Sequence, residues 1–146
     1  MLLLLVVPDD LANHFIGSTK SSQNFYGVIG ENGRCVFNGK ALICEAAINS
    51  NANQFNHNLL MSENAEINTK PELEIYTDDV KCSHGSTTGA LEEDALFYIR
   101  SRGIDTESAT SQLVHGFASE IIETVENDKI RDQIIKYFNK WLEIHN

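Results

Sequence analysis

Basic residues are scarce in this chain: 11 Lys and Arg stand against 21 Asp and Glu, giving a net charge of −10 in 146 residues. A general nucleic-acid binder draws its affinity from clustered basic side chains on phosphate, so that class is excluded. The same deficit argues against binding to an anionic membrane. The acids are scattered along the chain, as on a solvated surface or one that meets a basic partner. Cysteine is also sparse, with Cys35, Cys44 and Cys82 making an odd number and no CxxC pair. That is no disulfide framework and fits a reducing compartment. Without CxxC, a self-contained zinc or cluster site is not expected. Long apolar runs are missing as well. Met1–Val7 spans seven residues, lacks a basic flank and meets Pro8, Asp9 and Asp10 at once. It is too short for a membrane span and makes a poor signal peptide. It reads as a buried strand of a larger core, or as the margin where a longer protein continues.

What is present has two textures. Hydrophobic content of 42% and charged content of 22% are those of an ordinary globular chain, one domain or a domain with an appendage. From Phe25 to Gly89, short β-type runs alternate with polar turns: Phe25–Ile29, Arg34–Phe37, Ala41–Cys44, Asn58–Met61 and Glu72–Thr77. Turn signals fall at Glu31–Gly33 and at Asn38–Lys40, where Asn-Gly favours positive φ. The pattern fits either a meander of hairpins or a β-solenoid repeating at roughly twenty residues. Five asparagines between Asn49 and Asn58 suit solenoid corners.

From about Leu91 the period becomes helical. Glu92, Glu93 and Asp94 complement a helix dipole, Ala95, Leu96 and Ile99 form a stripe, and Gly103 is a natural terminator. Asp105 or Thr106 caps a second helix carrying Ala109, Leu113, Phe117, Ile121 and Val125. Asn127 or Asp128 opens a third, with Ile130, Ile134, Tyr137, Phe138 and Trp141 as its buried face. Strands followed by helices predict a β module with a C-terminal helical appendage.

Chemistry-bearing motifs are few. Gly17–Ser21 (GSTKS) is not a phosphate loop, because Lys20 follows Thr19 rather than a glycine and position 12 is Ala12. His14, His57, His115 and His145 have no ligand spacing among them. His115 lies off the apolar stripe of its helix, and Cys35 and Cys44 sit in apolar runs as buried, inert thiols. Cys82 and His84 stand apart. At i and i+2 on an extended backbone they share a face, and thiolate and imidazole are soft or borderline ligands. As a nucleophile and base they lack a third, orienting group.

The run from Lys70 to Ile104, KPELEIYTDDVKCSHGSTTGALEEDALFYIRSRGI, resembles the C-terminal region of the SufD branch in the SufB/SufD family of iron–sulfur cluster assembly proteins. The similarity extends upstream through FYGVIGENGRCVFNGKALI and NLLMSENAEINTKPELEI, and covers roughly Ser22 to the end. KCSHG followed by LFYIRSRG looks like the SufD branch, since SufB carries an acid about where His84 stands.

The resemblance implies a mainly β fold, with rungs of a right-handed parallel β-helix over residues 1–90 and a small helical domain over 91–146. It implies a non-enzymatic scaffold subunit of the SufBCD complex in a bacterial cytoplasm or a plastid. The subunit pairs with SufB through the ends of the β-helices and docks the ATPase SufC, which hydrolyses the ATP. His84 then helps hold iron or a transient iron–sulfur cluster at the subunit interface, with thiolate and carboxylate from SufB, and Cys82 matches a neighbouring family cysteine. No stably bound cofactor is expected in this chain alone. Leu96, Phe97, Tyr98, Arg100 and Arg102, with the stripe from Leu113 to Val125, form the platform toward SufC. Family members are much longer, so this chain corresponds to their C-terminal part. An exposed rung end invites self-association as a homodimer. The competing readings are a carbohydrate-active β-helix enzyme, which wants charged side chains clustered along one face, and a purely structural dimerisation module.

Overall fold

The computed structural model describes residues 2–3 and 10–145. Seven strands precede three helices: β1 (Leu2–Leu3), β2 (Asp10–His14), β3 (Lys20–Ile29), β4 (Arg34–Ile43), β5 (Ser50–Leu60), β6 (Glu66–Ile75), β7 (Val80–Ala90), α1 (Glu93–Arg100), α2 (Thr106–Ile122) and α3 (Asp128–His145). The strands sort by parity. One sheet runs β1-β3-β5-β7 and the other β2-β4-β6, and every pairing is parallel except the two-residue contact of β1 with β3. Most of Met1–Val7, read as a buried strand, lies outside the described residues; within it, Leu2–Leu3 pair with β3.

The inward side chains explain the stacking. Along β4, Cys35, Phe37, Gly39, Ala41 and Ile43 are buried at every second position; along β5, Ser50, Ala52, Gln54, Asn56 and Asn58 are buried likewise. A strand buries alternate residues when one face meets another layer. Phe25 of β3 meets Phe37 of β4 across the gap, ring centroids 4.8 Å apart. The opposite face of β3 and β5 meets the helices. Val28 is buried with Val114, Ala118, Ile122, Phe138 and Leu142, and Leu59 packs on the same cluster. The Tyr26 hydroxyl adds a polar tie from β3 to α2, donating to Glu120 Oε2 at 3.1 Å. Burial and that bond to a carboxylate push the Tyr26 phenol up from its ordinary value.

The architecture is therefore α/β: two stacked parallel sheets and three helices. It is neither mainly β nor a right-handed parallel β-helix, as the resemblance implied. Two features overturn that expectation. The strands of β3 to β7 run ten or eleven residues and form two separate sheets, and the helices cover a sheet face with a shared core.

Local expectations shift for related reasons. Glu31–Gly33 is a turn, with Glu31 at φ 52° and the Gly33 N–H donating to the Gly30 carbonyl at 2.9 Å. Asn38–Lys40 is not a turn but the middle of β4. Gly39 is needed there for close approach, because a Cβ would lie 2.7 Å from Gln54 Nε2 and 2.7 Å from Phe37 Cζ. The asparagines from Asn51 to Asn58 line β5 rather than corners, and only Asn49, at φ 57°, sits in a turn. In α2, Ala109 is buried as expected, but the other buried residues, Val114, Ala118 and Ile122, lie one position beyond the expected stripe, and Val125 falls past the helix. In α3, Phe138 and Leu142 are buried while Ile130 and Tyr137 are 51% and 74% exposed. The helices meet only one end of the sheet, near Val28 and Leu59, so part of each apolar stripe stays at the surface.

Candidate functional site

Cys82 and His84 both lie on β7, which pairs with β5 on one side and, among the described residues, with no strand on the other. Partners across a parallel ladder share a face. Ala52 stands opposite Cys82, Gln54 opposite His84 and Asn56 opposite Ser86, so this row of β7 continues the inward row of β5. The two candidates then diverge. Cys82 is half-buried and packs against the cluster of Ala41, Ile43, Ala47 and Ala52. His84 is exposed at the sheet margin. Among the described residues no group of three or more His, Cys, Asp or Glu side chains comes together to hold a metal ion.

Beneath His84 the inter-sheet space turns polar. Gln54 is 1% exposed, and its Nε2 donates to Gln23 Oε1 of β3 at 3.2 Å. Gln54 Oε1 meets no donor among the described residues. Asn56 and Asn58 satisfy each other, at 3.3 Å and 2.6 Å, and Asn58 Nδ2 also donates to the Thr87 carbonyl at 3.2 Å. Ser86 Oγ reaches β6, 2.9 Å from Thr69 Oγ1.

His14, His57 and His115 are locally engaged. His14 is buried with Nδ1 2.6 Å from Thr19 Oγ1 and Nε2 2.8 Å from Ser21 Oγ. His57 Nδ1 lies 2.9 Å from Thr87 Oγ1. His115 is exposed, beside Ser119 and the Phe138 ring. Cys35 is buried, and desolvation pushes its thiol up from the ordinary value, which disfavours a reactive thiolate. Cys44, just past β4, is only half-buried, against the expectation of a buried thiol.

The helical candidates form a separate surface. Leu96 is half-buried, whereas Phe97 and Tyr98 are 74% and 58% exposed. Arg102 lies over the Tyr98 ring, 4.4 Å from its centroid, and donates to the Tyr98 hydroxyl. Arg100 and Phe97 line an open groove of about 660 Å³ with Ile104 and Asp105. Asp105 caps α2, accepting the Ser108 N–H at 2.9 Å, and the two hydrogen bonds from Ser108 hold its carboxyl below the ordinary range.

Residues 10–117 match the family described as SUF system FeS cluster assembly, SufBD core domain. The chain belongs to the SufBD core family. It is 40% identical over 122 residues to the iron–sulfur cluster assembly protein SufD of Escherichia coli, covering 84% of this chain and 29% of that protein. An iron–sulfur cluster assembly SufBD family protein of Synechocystis is 46% identical over 113 residues, covering 77% of this chain and 24% of that protein. Protein ABCI7, chloroplastic, of Arabidopsis thaliana is 48% identical over 101 residues, covering 69% of this chain and 21% of that protein. The chain thus spans between about a fifth and a third of the length of these SufBD relatives. Among the described residues no helix is long and apolar enough to cross a membrane.

Sequence reasoning passed over Gln54 and read Gly39 as part of a turn. A signal for Gln54 was present: the strands β3, β5 and β7 repeat at 30 or 31 residues rather than twenty, which aligns Gln23, Gln54 and His84 on one row.

Proposed function

We propose that this chain is part of a SufD-type scaffold subunit that supports iron–sulfur cluster assembly. It pairs with SufB and docks the ATPase SufC, and is not itself an enzyme. Iron and the nascent cluster are cargo here. His84 supplies one ligand to that cargo, and the paired subunit supplies the rest. The observation that carries this reading is the placement of His84, exposed on the edge of β7 that, among the described residues, pairs with no strand and gathers no group of ligands for a site of its own. An open strand edge offers a row of unpaired backbone groups to a second chain. Imidazole suits iron, and an interfacial site accounts for an incomplete ligand set.

Cys82 is the weaker ligand of the two, because its side chain packs against Ala41, Ile43 and Ala52. The strand region, residues 1–90, carries the pairing surface, and the helical region, 91–146, carries the ATPase platform. Phe97, Tyr98 and Arg100 offer an exposed aromatic and basic face there, with Leu96 packed beneath and Arg102 braced on Tyr98. Relatives named from a bacterium and from chloroplasts support a bacterial cytoplasm or a plastid as the compartment. Co-expression with SufB and SufC tests the partner assignment. The reading expects both to co-purify with the chain, and Phe97→Ala with Arg100→Ala to release SufC while SufB stays bound. Failure of the unmutated chain to retain either partner contradicts it.

A further inference from the structure

We propose that Gln54 is the positioning residue for His84: its Oε1 accepts the Nδ1–H of the imidazole and leaves the Nε2 lone pair facing outward. Gln23, Gln54 and His84 occupy matched positions on β3, β5 and β7 and point to one face. In a ladder of amides each side chain donates to one neighbour and accepts from the next. Gln54 donates to Gln23. The next place, on β7, holds an imidazole in place of a third amide.

Two further observations converge on the same bond. Gln54 is 1% exposed, yet its Oε1 has no donor among the described residues. A buried acceptor left unpaired is unfavourable, and native interiors seldom retain one without a use. The amide is also pinned. Gly39 stands against it without a Cβ, which would otherwise meet Nε2 at 2.7 Å and Cδ at 2.8 Å. With Nε2 committed to Gln23, Oε1 is the end left for β7. The bond is open in the structure, where His84 is exposed. The shared face and register put the two side chains at neighbouring places in one row.

Of the two ring nitrogens, Nδ1 is the nearer to the backbone and so to the matched position on β5. Nε2 lies at the far end of the ring. A metal-binding histidine characteristically gives its second N–H to a carbonyl or carboxylate, which fixes both tautomer and ring orientation. The use of the free Nε2 rests on the ligand reading of His84 given above, but the tautomer is a property of this chain alone.

The test is ¹⁵N NMR of the imidazole nitrogens in the isolated chain at a pH where the ring is neutral, with His84 assigned by its disappearance in His84→Ala. The expected result is the Nδ1–H form in the wild type and loss of that form in Gln54→Met, which keeps the volume and removes the acceptor. An Nε2–H ring in the wild type overturns the proposal, as does an unchanged tautomer in a folded Gln54→Met chain. If Gln54→Met does not fold, the wild-type spectrum decides. Cluster yield with His84→Ala is a separate readout, so failure of the tautomer and failure of the ligand reading are told apart.

Discussion

The space between the two sheets and the space between sheet and helices are filled differently. Between the sheets, small apolar residues such as Ala41 and Ala52 sit beside buried Gln54, Asn56 and Asn58. Under the helices the cluster is wholly apolar and built from Val28, Val114, Ile122, Phe138 and Leu142. Parallel ladders satisfy the strand backbones, so the inter-sheet layer tolerates polar side chains provided they pair with one another. The helices, whose backbone bonds are internal, attach through side chains, by apolar packing and the Tyr26–Glu120 hydrogen bond. One consequence is that polar chemistry reaches a strand edge, at β7, from inside the molecule.

The largest effects should come from emptying each layer. Ile43, fully buried between the sheets, and Leu142, 5% exposed under the helices, should each cost about 2–5 kcal/mol on substitution by Ala, read by chemical denaturation. Hydrogen exchange sharpens the contrast. Leu142→Ala should open the helical amides while β3 to β7 stay protected, and equal loss of protection everywhere would dissolve the distinction between the layers.

Next in size is the asparagine pair. Asn58→Leu takes away the amide partner of Asn56 and should cost about 1–3 kcal/mol, whereas adding Asn56→Leu should cost little more, because the amide it removes has already lost that partner. A second substitution that costs as much as the first would show that Asn56 contributes mainly through its other contact, the Ser86 hydroxyl.

Smaller still is the cap on α2. The Asp105 carboxyl is held below its ordinary value by Ser108, so its contribution is present above the unfolded-state value, about 3.9, and is lost as pH falls through the lower folded value. Helical circular dichroism should therefore decline in that acid range in the wild type, and Asp105→Ala should remove this component. The smallest effect belongs to the exposed ion pair Arg34–Glu66, 3.4 Å long on the outer face of the three-stranded sheet, where Glu66→Gln should change stability by at most about 1 kcal/mol.

How legible this was in the sequence follows from the same contrast. The helices were readable because acids open α1, Asp105 caps α2 and Gly103, at φ 88°, follows α1. The strands were placed in part, through runs such as Phe25–Ile29, which falls in β3, and Glu72–Thr77, of which Glu72–Ile75 falls in β6. Their length was hidden wherever inward positions are polar or glycine. Gly39 mimicked a turn, and Gln54, Asn56 and Asn58 mimicked a solvated corner, although all four are buried in strands. The shared face of Cys82 and His84 followed from spacing alone. Their different burial did not, because it depends on which residues of β4 and β5 lie opposite.

The central claim is that His84, at the free edge of β7, supplies one ligand to a cluster whose remaining ligands come from another subunit. Iron–sulfur absorbance of the complex co-purified with SufB and SufC tests it directly, comparing wild type, Cys82→Ala and His84→Ala. The account predicts loss of most of the cluster absorbance in His84→Ala and retention of most of it in Cys82→Ala, with the three subunits still associated in each. An intact complex of His84→Ala that carries the wild-type amount of cluster would contradict it.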